Sequence, residues 1–385
     1  MALAAGSGAM TAGCAFQFGM PYLIPAFRAE GVSLEQAGVL VACPMAGLVC
    51  TLIAWGAVAD RWGERLALSA GLAAAGAALL GAASAHSAIA LGGYLVVAGA
   101  GGASVHAASG RLILGWFAAH ERGLAMGARQ TAQPLGVAIA ALLLPSLATG
   151  GLGAPLMVLA AGCLLMSVLV VLLVRDPEQA RDPEQAARPG RAGQTGAPYR
   201  TPVLYRIHAA SALLVVPQFA VATFALVYLV DAHGWDPATA GRMLAAVQVG
   251  GALARLSAGV WSDRVASRLR PMRLLAGLTC GVLLALSIGA YAESGAAVGA
   301  LLIAGVVTVS TNGLAYTAIA EYAGRSWAGR ALGVQNTGQN LFAAATPPVL
   351  AHLVSGGGYA AAFTAVVALP LVAAALIPVA AEGGG

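Results

Sequence analysis

Lysine is missing altogether: all twenty basic residues of this 385-residue chain are arginines. Without lysine there can be no Gly-Lys-Ser/Thr phosphate loop and no Schiff-base nucleophile. ATP-driven pumping by this chain alone is therefore not expected. Charge of either sign is scarce. Aspartate, glutamate and arginine make up 9% of the residues, against roughly 25% in a soluble domain, too few to cover a surface facing water. Five cysteines, Cys14, Cys43, Cys50, Cys163 and Cys280, form no C-x-x-C pair and fall in apolar runs, where a free thiol is a small core hydrophobe. No disulfide, no metal site and no cofactor are expected. The N-terminus has no basic segment ahead of its first apolar run, which reads as a retained span and not as a cleaved signal.

What is present is apolar sequence, 59% of the chain. A membrane span needs about 20 mostly apolar residues. Twelve stretches qualify, near 3–27, 36–57, 66–85, 88–115, 123–147, 154–174, 204–230, 238–260, 271–291, 296–319, 330–353 and 359–380. They are numbered as spans one to twelve. The fold class is an all-α polytopic membrane protein of twelve helices in two six-helix halves, residues 1–174 and 203–385, joined by a polar linker at 175–202. The linker carries a tandem Asp-Pro-Glu-Gln-Ala and then a Pro/Gly-rich tail, so it should be flexible. Arg61, Arg65, Arg111, Arg122, the linker arginines, Arg264 to Arg273, Arg325 and Arg330 fall on one side of the twelve-span scheme. The opposite loops hold Arg28 and Arg242. The arginine-rich side is the cytoplasmic one, which puts both termini in the cytoplasm of a bacterial cell and the chain in its inner membrane.

The halves repeat. Gly123, Gly127, Thr131 and Gln133 match Gly329, Gly333, Thr337 and Gln339 at one offset, which also brings His106 onto Asn312. A slightly smaller offset brings Gln17-Phe18 onto Gln218-Phe219. Parallel six-span repeats are one way in which secondary transporters are built. The loop Gly56-x-x-x-Asp60-Arg61-x-Gly63-x-Arg65 returns, weakened, as Gly259-x-x-x-Asp263-Arg264.

That loop, between spans two and three and again between eight and nine, resembles the signature loop of the major facilitator superfamily. Glu64 departs from it, since the family has a basic residue there. The resemblance implies alternating access without enzymatic chemistry. It also implies a cytoplasmic gate built on Asp60, Arg61, Arg65, Asp263 and Arg264, with Arg111 as a candidate ionic partner. By symmetry Asp60 is expected near the start of span eleven and Asp263 near the start of span five. The plainer reading is that these charges simply face water.

Inside the spans the polar residues are few. Arg255 lies in span eight, about two turns inside from Asp263. A charge at the bilayer centre costs about 2.5–3.5 kcal/mol even on insertion scales, which marks it as a functional candidate unless it snorkels to the interface. Arg255-x-x-x-Gly259-x-x-x-Asp263-Arg264 is similar to span eight of the monocarboxylate and oxalate carriers and of the nitrate/nitrite porters, in which an arginine binds the anion. The second arginine of the nitrate porters, in span two, has no counterpart near Leu52. Arg129 in span five is either a second anion ligand or an arginine at a cytoplasmic helix end. His106, mid-span in span four, is a candidate for proton coupling, because imidazole titrates near pH 6.5; its plainer reading is hydrogen-bonded packing. Gln17, Gln133, Gln218, Asn312, Asn336 and Gln339 are candidate solute ligands or simple interhelical bonds. All fifteen acids sit in loops or near span ends, unlike the embedded carboxylate of the family's cation and drug antiporters.

The sequence therefore points to a monomeric secondary transporter of a small, carboxylate-type anion, working by proton symport or anion exchange. Its partners are the solute, protons and the lipid bilayer, and no nucleic acid. The alternative is a proton-coupled exporter of neutral or drug-like compounds; a non-transporting sensor is the remaining class.

Overall fold

A computed structural model describes residues 2–116, 122–174, 198–324 and 327–382; within these, side chains are described except at 2–3, 60, 109–116, 122–130, 198 and 328. The described residues are overwhelmingly helical, with no strand among them. Among the described residues, ten helices are long and apolar enough to cross a membrane. Two features of the chain account for the difference from twelve. Span one is a helix over Ala2–Gln17 that tightens into a 3-10 turn at Met20–Leu23 and resumes over Ile24–Ala29. Pro21 and Pro25 stand at the starts of the last two pieces, where a missing N–H costs least. At the other end of the chain, Ala328–Leu376 runs as one 49-residue element broken at Gly358, whose φ of 76° and ψ of 176° are not helical. Glycine alone takes that backbone without strain. Spans eleven and twelve are thus 328–357 and 359–376.

The remaining spans are Leu34–Trp62, Glu64–Ala83, Ala88–Trp116, Arg122–Leu147, Gly153–Leu173, Pro202–His233, Pro237–Arg264, Leu269–Tyr291 and the interrupted pair Ala296–Val307 and Thr311–Ala323 that makes up span ten. Each boundary lies within a few residues of the sequence-based expectation. Caps fix several of them. Ser33 and Gln36 form a reciprocal capping box at the start of span two. Asp236 accepts from the Thr239 N–H at 2.9 Å at the start of span eight.

By Cα proximity the chain divides into two compact units, residues 1–188 with 236–245 and residues 189–235 with 246–385. In the first, span four packs on spans two and three, span six on span three, and span one on spans four, five and six. Spans two and four meet backbone to backbone: a Cβ at Gly47 would lie 2.0 Å from the Val96 carbonyl, and one at Gly99 1.9 Å from that of Pro44. Small residues permit this approach where lipid gives helices no hydrophobic reason to associate. Just beyond, Thr51 and Trp55 of span two both donate to the Ala100 carbonyl, at 2.8 and 2.6 Å. In the second unit, span seven packs on the paired spans eleven and twelve and on span ten, and span nine packs on span ten and on the same pair. Leu204, Ile207, Leu269, Met272, Ile319 and Ile377 share one buried cluster there.

Candidate functional site

In the first unit, the side chains of Gln17 and His106 meet. His106 Nε2 stands 2.7 Å from Gln17 Oε1, and Phe18 presents its ring edge-on to the imidazole with centroids 6.2 Å apart. Because a carbonyl oxygen only accepts, His106 Nε2 carries the proton in this bond. Gly102, one turn before His106, makes the contact possible: a Cβ there would fall 2.5 Å from Gln17 Nε2 and 2.5 Å from the Phe16 ring. Gln17 is 1% exposed, and its Nε2 finds no hydrogen-bond partner among the described residues. His106 itself is half-buried. Gln133 is half-buried on span five. Arg129 lies on the same helix, and its side chain falls outside the described residues.

The second unit repeats the arrangement with neutral groups. Asn312 Nδ2 donates to Gln218 Oε1 at 2.9 Å. The two residue pairs that the repeat aligns are therefore each in contact, span one to span four and span seven to span ten. Nearby, Asn336 Oδ1 accepts from both the Tyr316 hydroxyl and Asn340 Nδ2, at 3.1 Å each. Gln339, one turn along span eleven from Gln335, is buried, and its Nε2 has no partner among the described residues. Arg255 is half-buried and donates from Nε to the Val309 carbonyl at 3.0 Å. Val309 belongs to the interruption of span ten, where helical pairing lapses and a carbonyl can take an outside donor. Gly251, one turn before Arg255, leaves room for the Val309 side chain, which a Cβ would approach to 2.8 Å.

The signature loop has a compact geometry. Spans two and three are joined by Gly63 alone, at φ 91° and ψ 161°. This is positive-φ backbone that a side chain would strain, which explains the glycine in the motif. Glu64 is 3% exposed in the first turn of span three, where a carboxylate suits the positive helix end. Arg61 lies over the Trp62 ring at 5.3 Å. Arg65 donates from Nη2 to the Val171 carbonyl near the end of span six. The Asp60 and Arg111 side chains fall outside the described residues.

In the second copy, Asp263 pairs with Arg268, five residues on, and Arg264 is exposed. Arg268 also reaches Glu321 at 3.2 Å and Ser262 Oγ at 2.6 Å. Burial alone would lower its pKa, but the Asp263 and Glu321 carboxylates outweigh that and hold it above the ordinary arginine value.

Sequence reasoning missed two groups. Glu382 accepts the backbone N–H of Arg268 at 2.7 Å, that of Leu269 at 2.9 Å, and the Ser267 hydroxyl. A tail carboxylate thereby caps span nine. His208 in span seven bonds through Nδ1 to Gln335 Oε1 at 2.8 Å and through Nε2 to the Tyr199 hydroxyl at 3.0 Å. Burial, and then the neighbouring Tyr205, push the Tyr199 phenol pKa up. Contacts spanning more than 100 residues leave no local signal. The repeat did align Arg129 with Gln335, which marks that position in each half.

The comparisons agree with this architecture. Two transporters of Mycobacterium tuberculosis, from strains H37Rv and CDC 1551 and both named uncharacterised MFS-type transporters, are each 43% identical over 364 residues, 94% of this chain and 80% of theirs. A bacterial homologue of the human lysosomal transporter Spinster, inward-facing and occupied, superimposes with a TM-score of 0.80 at 16% identity, over 98% of this chain and 96% of that one. A D-xylose–proton symporter gives 0.77 at 15% identity, over 96% of each chain. These two structures speak for the fold alone. The family model for the Major Facilitator Superfamily matches residues 5–347. With helices, signature loop and repeated contacts in accord, the chain belongs to the major facilitator superfamily of secondary membrane transporters.

Proposed function

We propose that this transporter moves a small monoanion, carboxylate in type, by alternating access, coupled to proton symport or to anion exchange. One observation carries the reading: span eight holds a half-buried arginine, Arg255, about two turns before Asp263, while every acid lies in a loop or near a span end. A cation would find no counter-charge mid-span, whereas an anion finds a guanidinium with fixed planar donors. Arg129 is the second candidate ligand, in the other half. Gln17, Gln133, Gln218, Asn312, Asn336 and Gln339 orient the solute. His106 takes the coupling proton. The gate is Asp60, Arg61, Arg65 and Arg111 in one half and Asp263 and Arg264 in the other. The protein works as a monomer in the bacterial plasma membrane, with both termini and the 175–202 linker in the cytoplasm, as the arginine distribution favours.

A second reading has its own support. The bond from Arg255 to the Val309 carbonyl is what a structural arginine would make, and it fits an exporter of neutral compounds. Counterflow in proteoliposomes separates the two. Labelled lactate, pyruvate, oxalate and nitrate are tested against dye efflux. Anion counterflow is the expected result; dye efflux with no anion counterflow would reverse the choice.

A further inference from the structure

Two acids outside every motif stand at matching places in the two halves. Glu30 follows the last helical residue of span one, and Asp231 lies in the last turn of span seven. Glu30 Oε1 accepts the N–H of Leu152 at 3.1 Å, where the chain enters span six. Asp231 Oδ2 accepts the Tyr359 hydroxyl at 2.7 Å, where the chain enters span twelve. Both contacts sit beside a glycine at positive φ, Gly151 at 103° and Gly358 at 76°. Thirteen residues before each acid, on the same span, stands the amide of the candidate site, Gln17 or Gln218.

The far ends of the same last spans are also held. Arg65 donates to the Val171 carbonyl near the end of span six. Arg206 donates to the Leu376 and Ala375 carbonyls at the end of span twelve, at 2.8 and 3.3 Å. Each last span therefore has a carboxylate at its start and a guanidinium at its end, the order of signs that a helix dipole favours. Spans six and twelve are each contacted at both ends, and the first span of that half is tied to the start of its last span by the acid. In span seven about 20 Å of helix separates acid from amide, at 1.5 Å per residue; in span one the same thirteen residues include the 3-10 turn at Met20–Leu23. A hydrogen bond of 2.7–2.9 Å is lost once its atoms part by more than about half an ångström, so a loose outer end is enough to break the contacts of Gln17 and Gln218.

We infer that Glu30 and Asp231 are positioning residues for transport: by fastening the first span of each half to the last, they set where Gln17 and Gln218 stand. The inference rests on the reading that these amides meet the solute.

Three measurements test it. In cysteine-free protein in lipid nanodiscs, nitroxide pairs at positions 32 and 154, and at 232 and 361, report the two fastenings. Glu30→Ala broadens the first distance distribution, and Asp231→Ala or Tyr359→Phe broadens the second. Glu30→Gln and Asp231→Asn keep an oxygen acceptor and keep the parental widths. Parental widths in the alanine variants overturn the latch. Next, ¹⁵N-histidine labelling follows the His106 Nε2–H resonance, which is lost or shifted in Glu30→Ala and restored in Glu30→Gln. A broadened distance with an unmoved His106 signal overturns the positioning role. Finally, lactate uptake shows its half-saturation raised about three- to tenfold in the alanine variants, the worth of one net hydrogen bond, and near parental in the amide variants. If Gln17→Ala and Gln218→Ala leave uptake untouched, or lactate is not carried, the solute reading fails while the first two measurements still decide the latch.

Discussion

His106 and Gln17 are bonded at 2.7 Å between spans four and one, and the equivalent positions in the other half hold Asn312 and Gln218. The same contact is titratable in one half and neutral in the other. His106→Asn should therefore keep the bond while removing the proton site. Uptake into proteoliposomes is expected to lose its dependence on pH, with turnover at neutral pH retained. A pH profile identical to the parent's would remove His106 from coupling.

Arg255→Gln is expected to weaken anion binding roughly ten- to a hundredfold, because a charge-assisted hydrogen bond contributes about 1.5–3 kcal/mol. The span eight to span ten contact should weaken only modestly, since glutamine can still donate toward the Val309 carbonyl. Titration of purified protein with lactate by thermal shift separates affinity from folding. Unchanged affinity would leave Arg255 as a structural tie.

Asp60→Asn should slow transport with normal expression, as the gating role proposed for its charge requires. Initial uptake rates alongside surface abundance provide the check. Parental rates would assign Asp60 to the solvent-facing surface.

Glu382→Ala leaves the first N–H groups of span nine without their carboxylate and removes an anion beside Arg268. The loss is expected to be about 1–3 kcal/mol, visible as a lower melting temperature in detergent. Deleting residues 379–385 should do the same, and Glu382→Gln, which can still accept, should fall in between.

Asp236 has its pKa held below its ordinary value of 3.8, first by the Thr239 N–H and then by the Thr239 hydroxyl. A depressed carboxyl contributes stability above its unfolded pKa and loses it as the pH falls through the lower folded value. Asp236→Ala should therefore melt below the parent at neutral pH, and the gap should close on acidification below about pH 4. A gap that persists at lower pH would mean that the cap acts through packing and not through charge.

The spans were legible because apolar length against a bilayer is a strong constraint; the caps at Ser33 and Asp236 came only with the structure. The repeat went further: it aligned Gln17 with Gln218 and His106 with Asn312, and each half joins its own pair. The interruption of span one was hidden, since Pro21 and Pro25 are equally compatible with a continuous helix. So was the fusion of spans eleven and twelve through a single glycine. The contacts of Glu382, of Glu30, of Asp231 and of His208 with Gln335 were invisible because each joins segments far apart in the chain. Their partners are often backbone groups, which every residue carries. Asp263 adds a contact that symmetry did not suggest, an ion pair with Arg268 in its own loop; the side chains at the start of span five, where symmetry places its neighbour, fall outside the described residues.

Spans two and three share one residue of connection, whereas four residues, 265–268, connect spans eight and nine. A hinge needs slack. Gly63 offers two torsions and no spare length, so a shift at the end of span two passes undiminished into span three. The longer second connection is held by side chains instead: Arg268 pairs with Asp263 and Glu321, and Glu382 accepts from the Ser267 hydroxyl and the Arg268 N–H. The two hairpins are thus stiffened by different means, one by brevity and one by a clasp. Substitution can undo the clasp and leave the length unchanged.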